Sequence, residues 1–183
     1  MLIIEHLDGI LVEATFREIM AGYDGPVSRN SAVTVRFNTI LPENLRLTFT
    51  AKDLNGSGRP HVVHIYLDKL YNMKVPTREL VKQAIEDGNI RYDCDCGSYL
   101  YGGFKYISSK KKITALEKER RPPRINNPKQ LGLVCKHIHA VVDELPLLIN
   151  NITRVLQYLR KKQGIAQTKK PPVKTTSRLT KRK

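Results

Sequence analysis

Apolar and polar residues alternate along two stretches in the first half of the chain. A period of two places successive side chains on opposite faces of a strand, so each stretch predicts a half-buried β-strand. The run HVVHIYL at residues 61–67 is rich in branched and aromatic residues and predicts a third strand, joined to the second by a hairpin loop at 54–60. The alternating apolar residues are Val33, Val35 and Phe37 in the first stretch and Leu45, Leu47 and Phe49 in the second.

Later segments place apolar residues three and four positions apart, which predicts amphipathic helices. The helix after Pro76 is expected to end at Asp87-Gly88-Asn89. Residues 1–21 show similar spacing, 22–30 have turn composition, and a short strand is expected over 90–94. The predicted stripes are Leu80, Val81, Ala84 and Ile85, then Ile138, Val141, Val142 and Leu145, and finally Leu148, Ile152, Val155, Leu156 and Leu159. The fold class is therefore predicted to be α+β, with a β-rich N-terminal part.

The net charge of +15 is concentrated in two segments. Residues 105–129 contain nine basic residues against Glu117 and Glu119, and residues 160–183 contain ten with no acid. The last segment has few apolar residues to bury, so a disordered basic tail is expected from residue 161. No signal peptide or apolar run of membrane-spanning length is present, which predicts a soluble protein without membrane contact that is either intracellular or packaged inside something made in the cell.

Three cysteines and a histidine carry the chemistry that the sequence predicts. Cys94 and Cys96 are too close to bridge readily, and they are followed by Cys135 and His137. Thiolates and imidazoles are the ligands that Zn²⁺ prefers, and four protein ligands form a closed structural site. Gly97 is expected to permit the turn after Cys96.

Two alternatives to this ligand set stay open at the level of sequence. The cysteines could be ordinary buried residues, and His139 could replace His137 as the fourth ligand or support the site from outside. No metal role is predicted for His6, His61 or His64.

The order CxC…CxH resembles the SWIM zinc finger. The flanks agree: the strand IRYD leads into CDC, and CKHIHAVV is similar to the start of the family's helix. The resemblance covers about residues 89–145 and implies a ββα unit in which Cys94, Cys96, Cys135 and His137 bind zinc, in a module that binds DNA or protein. The 38 residues between Cys96 and Cys135 exceed the usual length in that family. Loop closure grows slowly with length, so this basic insertion is tolerable.

The insertion and the tail supply candidate partner-binding residues. Lysines alternate with Phe104 and Tyr106, and an arginine-proline arm follows, which could neutralise phosphates or grip an acidic protein; a solvated loop is the alternative. The candidates are Lys105, Lys110, Lys111, Lys112, Arg120, Arg121, Arg124, Lys161 and Lys162. Residues Arg120–Arg124 of the arm and the tail from Lys161 are expected to contact partners and to make few contacts with their own domain.

No motif of a common enzyme class is present, which predicts a non-enzymatic protein; a zinc hydrolase or nuclease is the enzymatic alternative. The stretch RPPRINNPKQ ahead of CKHI resembles small basic proteins of tailed bacteriophages. That resemblance implies a head or neck component of the virion, in contact with other protein subunits or DNA. The alternative is a cytoplasmic DNA- or RNA-binding accessory factor in recombination or transcription. The expected division is 1–88, 89–160 with the zinc unit and a C-terminal helix, and 161–183.

Overall fold

The computed structural model of this chain describes residues 15–21, 33–42, 44–54, 58–71 and 73–168. Within these ranges the fold is α+β, as predicted from the sequence. Most of the segment 1–21, the turn predicted at 22–30 and the centre of the loop at 54–60 lie outside the described residues.

Four strands form an antiparallel sheet in the order β1-β2-β3-β4. The predicted strands are all present, and alternation along β2 buries Leu47, Phe49 and Ala51 completely on one face. Because β4 hydrogen-bonds to β3, the first half of the chain and the cysteine segment share one sheet. The strands are β1 Val33–Leu41, β2 Arg46–Asp53, β3 His61–Leu67 and β4 Ile90–Cys94.

Helices cover one face of this sheet. The helix α6 contacts all four strands, and α7 packs against α3. They are α1 Phe16–Ala21, α2 Asp68–Tyr71, α3 Arg78–Glu86, α4 Gly97–Tyr101, α5 Phe104–Lys110, α6 Lys136–Glu144 and α7 Ile149–Thr168, with a 3-10 turn at Leu145–Leu148.

Two helices differ from the sequence pattern. In α3 the predicted face holds, except that Leu80 is 43% exposed; it lies in the first turn, where Thr77 caps the helix by accepting a hydrogen bond from the Leu80 N–H. In α7 the helix continues beyond Arg160 to Thr168, where the composition predicts a tail. Residues 169–183 lie outside the described part of the chain. None of the described helices is both long and apolar enough to cross a membrane.

Candidate metal centre

The first two cysteines lie where β4 ends. Cys94 is the last residue of the strand, and the Asp95 N–H still donates to the Val62 carbonyl at 3.2 Å. The chain then turns into α4, with Cys96 as its N-cap residue. The Cys96 Sγ accepts a hydrogen bond from the Tyr99 N–H at 3.3 Å. The end of the strand therefore positions the Cys94 sulfur, and the start of the short helix positions the Cys96 sulfur.

The other two residues lie at the start of α6. Cys135 is the N-cap residue, with φ −79° and ψ 165°, and His137 follows in the first turn. The rotation of this helix is set by Ile138, Val141 and Val142, which are fully buried against the sheet. Burial of that apolar stripe brings the first turn of α6 to the end of β4.

The four predicted ligands converge. One ligand atom from each of Cys94, Cys96, Cys135 and His137 lies within 4.8 Å of the other three. A tetrahedral zinc site with Zn–S bonds of about 2.3 Å has edges of about 3.8 Å. All four residues are at most 3% exposed, and the three thiols are free of disulfides. Among the described residues His139 is not part of this cluster.

The polar atoms of the cluster fit a cation. Both ring nitrogens of His137 are buried and have no hydrogen-bond partner. A buried polar group without a partner costs about 1–3 kcal/mol, and a metal bond to one nitrogen would remove that cost. Three sulfurs and one imidazole nitrogen form a donor set that zinc prefers and that leaves no open coordination position.

The three thiols hold their protons unequally. Hydrogen bonds from Cys135 and Cys94 stabilise the Cys96 thiolate and keep the pKa of this group far below its ordinary value. Cys94 donates to Cys135 and Cys96, which raises the pKa of its thiol. Burial raises the pKa of Cys135. Without a metal, Cys96 is therefore the cysteine that loses its proton most readily, whereas Cys94 and Cys135 hold theirs more tightly.

Zinc binding near pH 7 is expected to release about two protons per ion, because only thiolates ligate the metal and Cys94 and Cys135 begin protonated. The metal-bound state holds fewer protons, so lowering the pH favours the metal-free state, by up to about a hundredfold in apparent affinity per pH unit. Calorimetric titration in two buffers with different ionisation enthalpies measures the number released. A buffer-independent heat would contradict this proton distribution.

A second layer of residues surrounds His137. Its Nε2 lies 3.3 Å from the Asp53 Oδ1, although the two atoms are not aligned as a hydrogen bond. The other Asp53 oxygen accepts from the Lys136 Nζ at 2.7 Å. Burial acts to raise the pKa of Asp53, but Lys136 and His137 together outweigh it and the pKa is lowered. The Asp53 carboxylate therefore lies beside the His137 ring, and a ring nitrogen of His137 lies within 4.8 Å of the three sulfurs.

Two further residues brace the site from β3 and the cysteine turn. The His61 ring packs on the His137 ring with centroids 4.6 Å apart. Its Nδ1 lies 3.1 Å from the Asp95 Oδ1, which also accepts from the Val62 N–H. Among the described residues His61 is not part of the four-residue cluster, but its ring contacts that of His137. No spacing pattern in the sequence points to Asp53 or His61 as neighbours of the cluster. Asp53, for example, lies 83 residues before its partner Lys136.

Asp53→Ala is expected to weaken zinc binding by about 10–100-fold, because an outer carboxylate fixes the ring orientation of a histidine ligand and raises its basicity. The zinc affinity of Asp53→Asn should lie between those of Asp53→Ala and the unmodified chain, because asparagine keeps an acceptor oxygen but not the charge. Competition with a chromophoric chelator at fixed pH measures the affinity. Lys52→Ala, an exposed neighbour on β2, is the control and should leave it unchanged. Equal affinities of Asp53→Ala and the unmodified chain would contradict this role.

The insertion is fixed to the sheet beside this centre. The Tyr92 N–H donates to the Ile113 carbonyl, and the Ala115 N–H donates to the Tyr92 carbonyl at 2.8 Å. The Tyr92 hydroxyl also donates to the Leu133 carbonyl at 3.0 Å. The insertion therefore covers the edge of β4 and is tied to that strand at its middle, by residues 113–115, and at its C-terminal end, by Leu133.

The arm at 116–131 is held in place, contrary to the expectation of few contacts. The Glu119 N–H donates to Ser109 Oγ at 2.8 Å, and its carboxylate binds the Arg121 guanidinium with two bonds of 2.8 and 3.0 Å. These bonds hold the pKa of Glu119 at about 2. Gly103, with φ +87°, allows Pro123 to pack closely, since a Cβ there would lie 2.7 Å from the proline ring. Side-chain to backbone bonds thus order a segment without regular secondary structure.

The predicted partner-binding residues fall into two groups. Lys105 is nearly buried, with Nζ 4.0 Å from the Asp93 carboxylate, and Arg121 is paired with Glu119. The others make no ion pair among the described residues: Lys110, Lys111, Lys112, Arg120, Arg124, Lys161 and Lys162.

Gly97 is not needed for the turn after Cys96. A Cβ at this position would meet nothing closer than 4.0 Å, and its backbone is not left-handed.

Comparison of the whole chain with protein-family models, with curated proteins and with solved structures gave no match.

Proposed function

We propose that this chain is a zinc-stabilised, non-enzymatic structural and interaction protein with a SWIM-like centre. The observation that carries the proposal is the closed cluster of three cysteines and one histidine, each at most 3% exposed. A catalytic zinc keeps one position for water or substrate, whereas four protein ligands fill the tetrahedron. The ion would join the end of β4 to the start of α6 and hold the insertion between them.

We further propose that the protein is a component of a tailed-phage virion, in the head or neck. Support comes from the resemblance of residues 121–130 to small basic phage proteins, and from an ordered arm that exposes cations away from the core. The partners would be neighbouring protein subunits and, through phosphate contacts, DNA. In an assembly of this kind, zinc keeps the contact surfaces of each subunit in one shape.

Elemental analysis and mass spectrometry test the two levels of this proposal. The purified chain should contain one zinc per molecule, and the chain should remain in gradient-purified particles after nuclease treatment. A folded chain without zinc would contradict the first level. Absence from particles, combined with release from nucleic acid by nuclease, would instead indicate the cytoplasmic alternative.

That alternative, a SWIM-type DNA- or RNA-binding accessory factor, is favoured by the exposed cations of α5, the arm and α7. The logarithm of the binding constant should fall linearly with the logarithm of the salt concentration, with a slope set by the number of phosphates neutralised. Lys110→Glu with Lys112→Glu should reduce that slope by about two. Lys82→Glu on α3, away from the insertion, is the matched control.

A further inference from the structure

A groove of about 480 Å³ opens on the outer side of the arm. Tyr101 forms one wall, the segment from Arg121 to Asn126 forms the other, and the lining is mainly apolar. Two of its side chains are strongly exposed for their type: Ile125 at 89% and Tyr101 at 72%. Tyrosine and arginine dominate the energetic centres of protein interfaces, and both residue types line this groove.

The groove is ordered before any partner binds. The Asn126 side-chain amide donates to the Tyr101 carbonyl at 3.3 Å and joins the two walls. Pro123 packs against Gly103 at the base of the arm, and Glu119 is bonded to Ser109. A preformed surface avoids the entropic cost of ordering a loop on binding, which favours recognition.

The charges around the groove select the partner. Arg124 is exposed and makes no ion pair among the described residues, so one cation at the rim remains available. Arg121 is 87% exposed but already bonded to Glu119. A nucleic-acid strand along this wall would have to place its charged phosphates on a mainly apolar lining, where among the described residues Arg124 is the cation without an ion pair. An apolar side chain flanked by carboxylates fits the same surface better, because it buries Ile125 and pairs with Arg124.

One segment of this chain has that chemistry. Residues 1–14 contain Glu5, Asp8 and Glu13 among apolar residues and include no lysine or arginine. They lie outside the described residues. Thr15, which follows them, is bridged to Asn89 just before β4, whereas Tyr101 comes after the other end of that strand. A neighbouring copy can present the segment without crossing β4 and α4.

We propose that the groove between Tyr101 and Ile125 binds residues 1–14 of a second copy of this chain, with Arg124 paired to their carboxylates. The inference rests on the proposed role as a subunit of an assembly and specifies one of its contacts. It predicts a heterologous contact, since the groove and the segment are different surfaces, and such contacts build rings or filaments of copies.

Sedimentation velocity of the zinc-loaded full chain tests this contact. Arg124→Glu should weaken self-association by at least about tenfold, as expected for an interface centre, and Lys118→Glu, the same charge change on an exposed arm residue outside the groove lining, should not. Glu5→Lys with Asp8→Lys should have the effect of Arg124→Glu. Combining all three changes should restore association, because the charges are exchanged. A labelled synthetic peptide of residues 1–14 should bind the full chain and dissociate its oligomers.

Several results would overturn the contact. They are a full chain that stays monomeric and does not bind the peptide, equal association of Arg124→Glu and Lys118→Glu, and cross-links from residues 1–14 to the groove only within one copy. If an oligonucleotide displaces the peptide, and if substitution of Tyr101 abolishes that displacement, the groove binds nucleic acid instead. If the contact fails while the chain is still found in nuclease-treated particles, only this contact is excluded and the proposed function stands.

Discussion

Cys135→Ser is expected to reduce bound zinc from one ion per chain to less than about a tenth of that, and to unfold α6. Zinc binding supplies about 10–16 kcal/mol in small structural sites, more than the whole stability of many domains. Since α6 contacts all four strands, the loss should spread into the sheet and lower the melting temperature of the whole chain. Elemental analysis and circular dichroism, with and without a chelator, measure the two effects.

Val134→Ala is the matched control for that substitution. Val134 is 1% exposed and adjacent to Cys135, so the change removes buried apolar volume without touching a ligand. It should lower stability by a few kcal/mol at most and keep the full zinc content. If Cys135→Ser stays folded without zinc and melts like the unmodified chain, the metal centre has no structural role.

His137→Ala is expected to cost nearly all of the zinc, whereas His139→Ala should weaken binding by about tenfold at most, as for a residue outside the ligand set. The physical reason is placement: His137 is 3% exposed and belongs to the cluster, while half-buried His139 lies further along α6. Burial lowers the pKa of His139, which keeps it neutral near pH 7. Chelator competition on both variants gives the affinities.

Equal and complete loss of zinc in the two histidine variants would mean that the ligand assignment is wrong. Lys136→Ala separates ligand loss from loss of support. Lys136 lies between Cys135 and His137, and its Nζ donates to Asp53, so its removal should leave the ion in place with modestly reduced affinity. A total loss of zinc in Lys136→Ala would mean that the contact with Asp53, and not His137, is essential for binding the ion.

The candidate ligand set could be predicted from the sequence because both of its residue pairs have local signals. The pair Cys94-x-Cys96 follows a strand pattern, and Cys135-x-His137 precedes a helical stripe, so each pair is placed by the element beside it. The sequence favours His137 over His139, and the tertiary structure places His137 in the cluster. Both residues lie near the start of one helix, and only the burial of Ile138, Val141 and Val142 decides which of them turns to the sulfurs.

The surroundings of the centre came from tertiary structure alone. Asp53 and His61 belong to β2 and β3, and their positions beside His137 depend on how α6 crosses the sheet, which no local pattern encodes. The order in the arm has the same origin. Its composition predicts a solvated segment, but Ser109, Glu119 and Gly103 supply specific bonds and one close backbone approach that fix it.

Sequence by itself determined the α+β class, the four strands, the stripes of α3, α6 and α7, and the candidate ligands, because each follows from a short repeat or spacing. Tertiary structure decided the meeting of the two ligand pairs across the insertion, the outer residues Asp53 and His61, and the groove between Tyr101 and Ile125. These depend on side chains brought together from distant strands and loops, where the burial of one apolar face sets the position of polar groups on another.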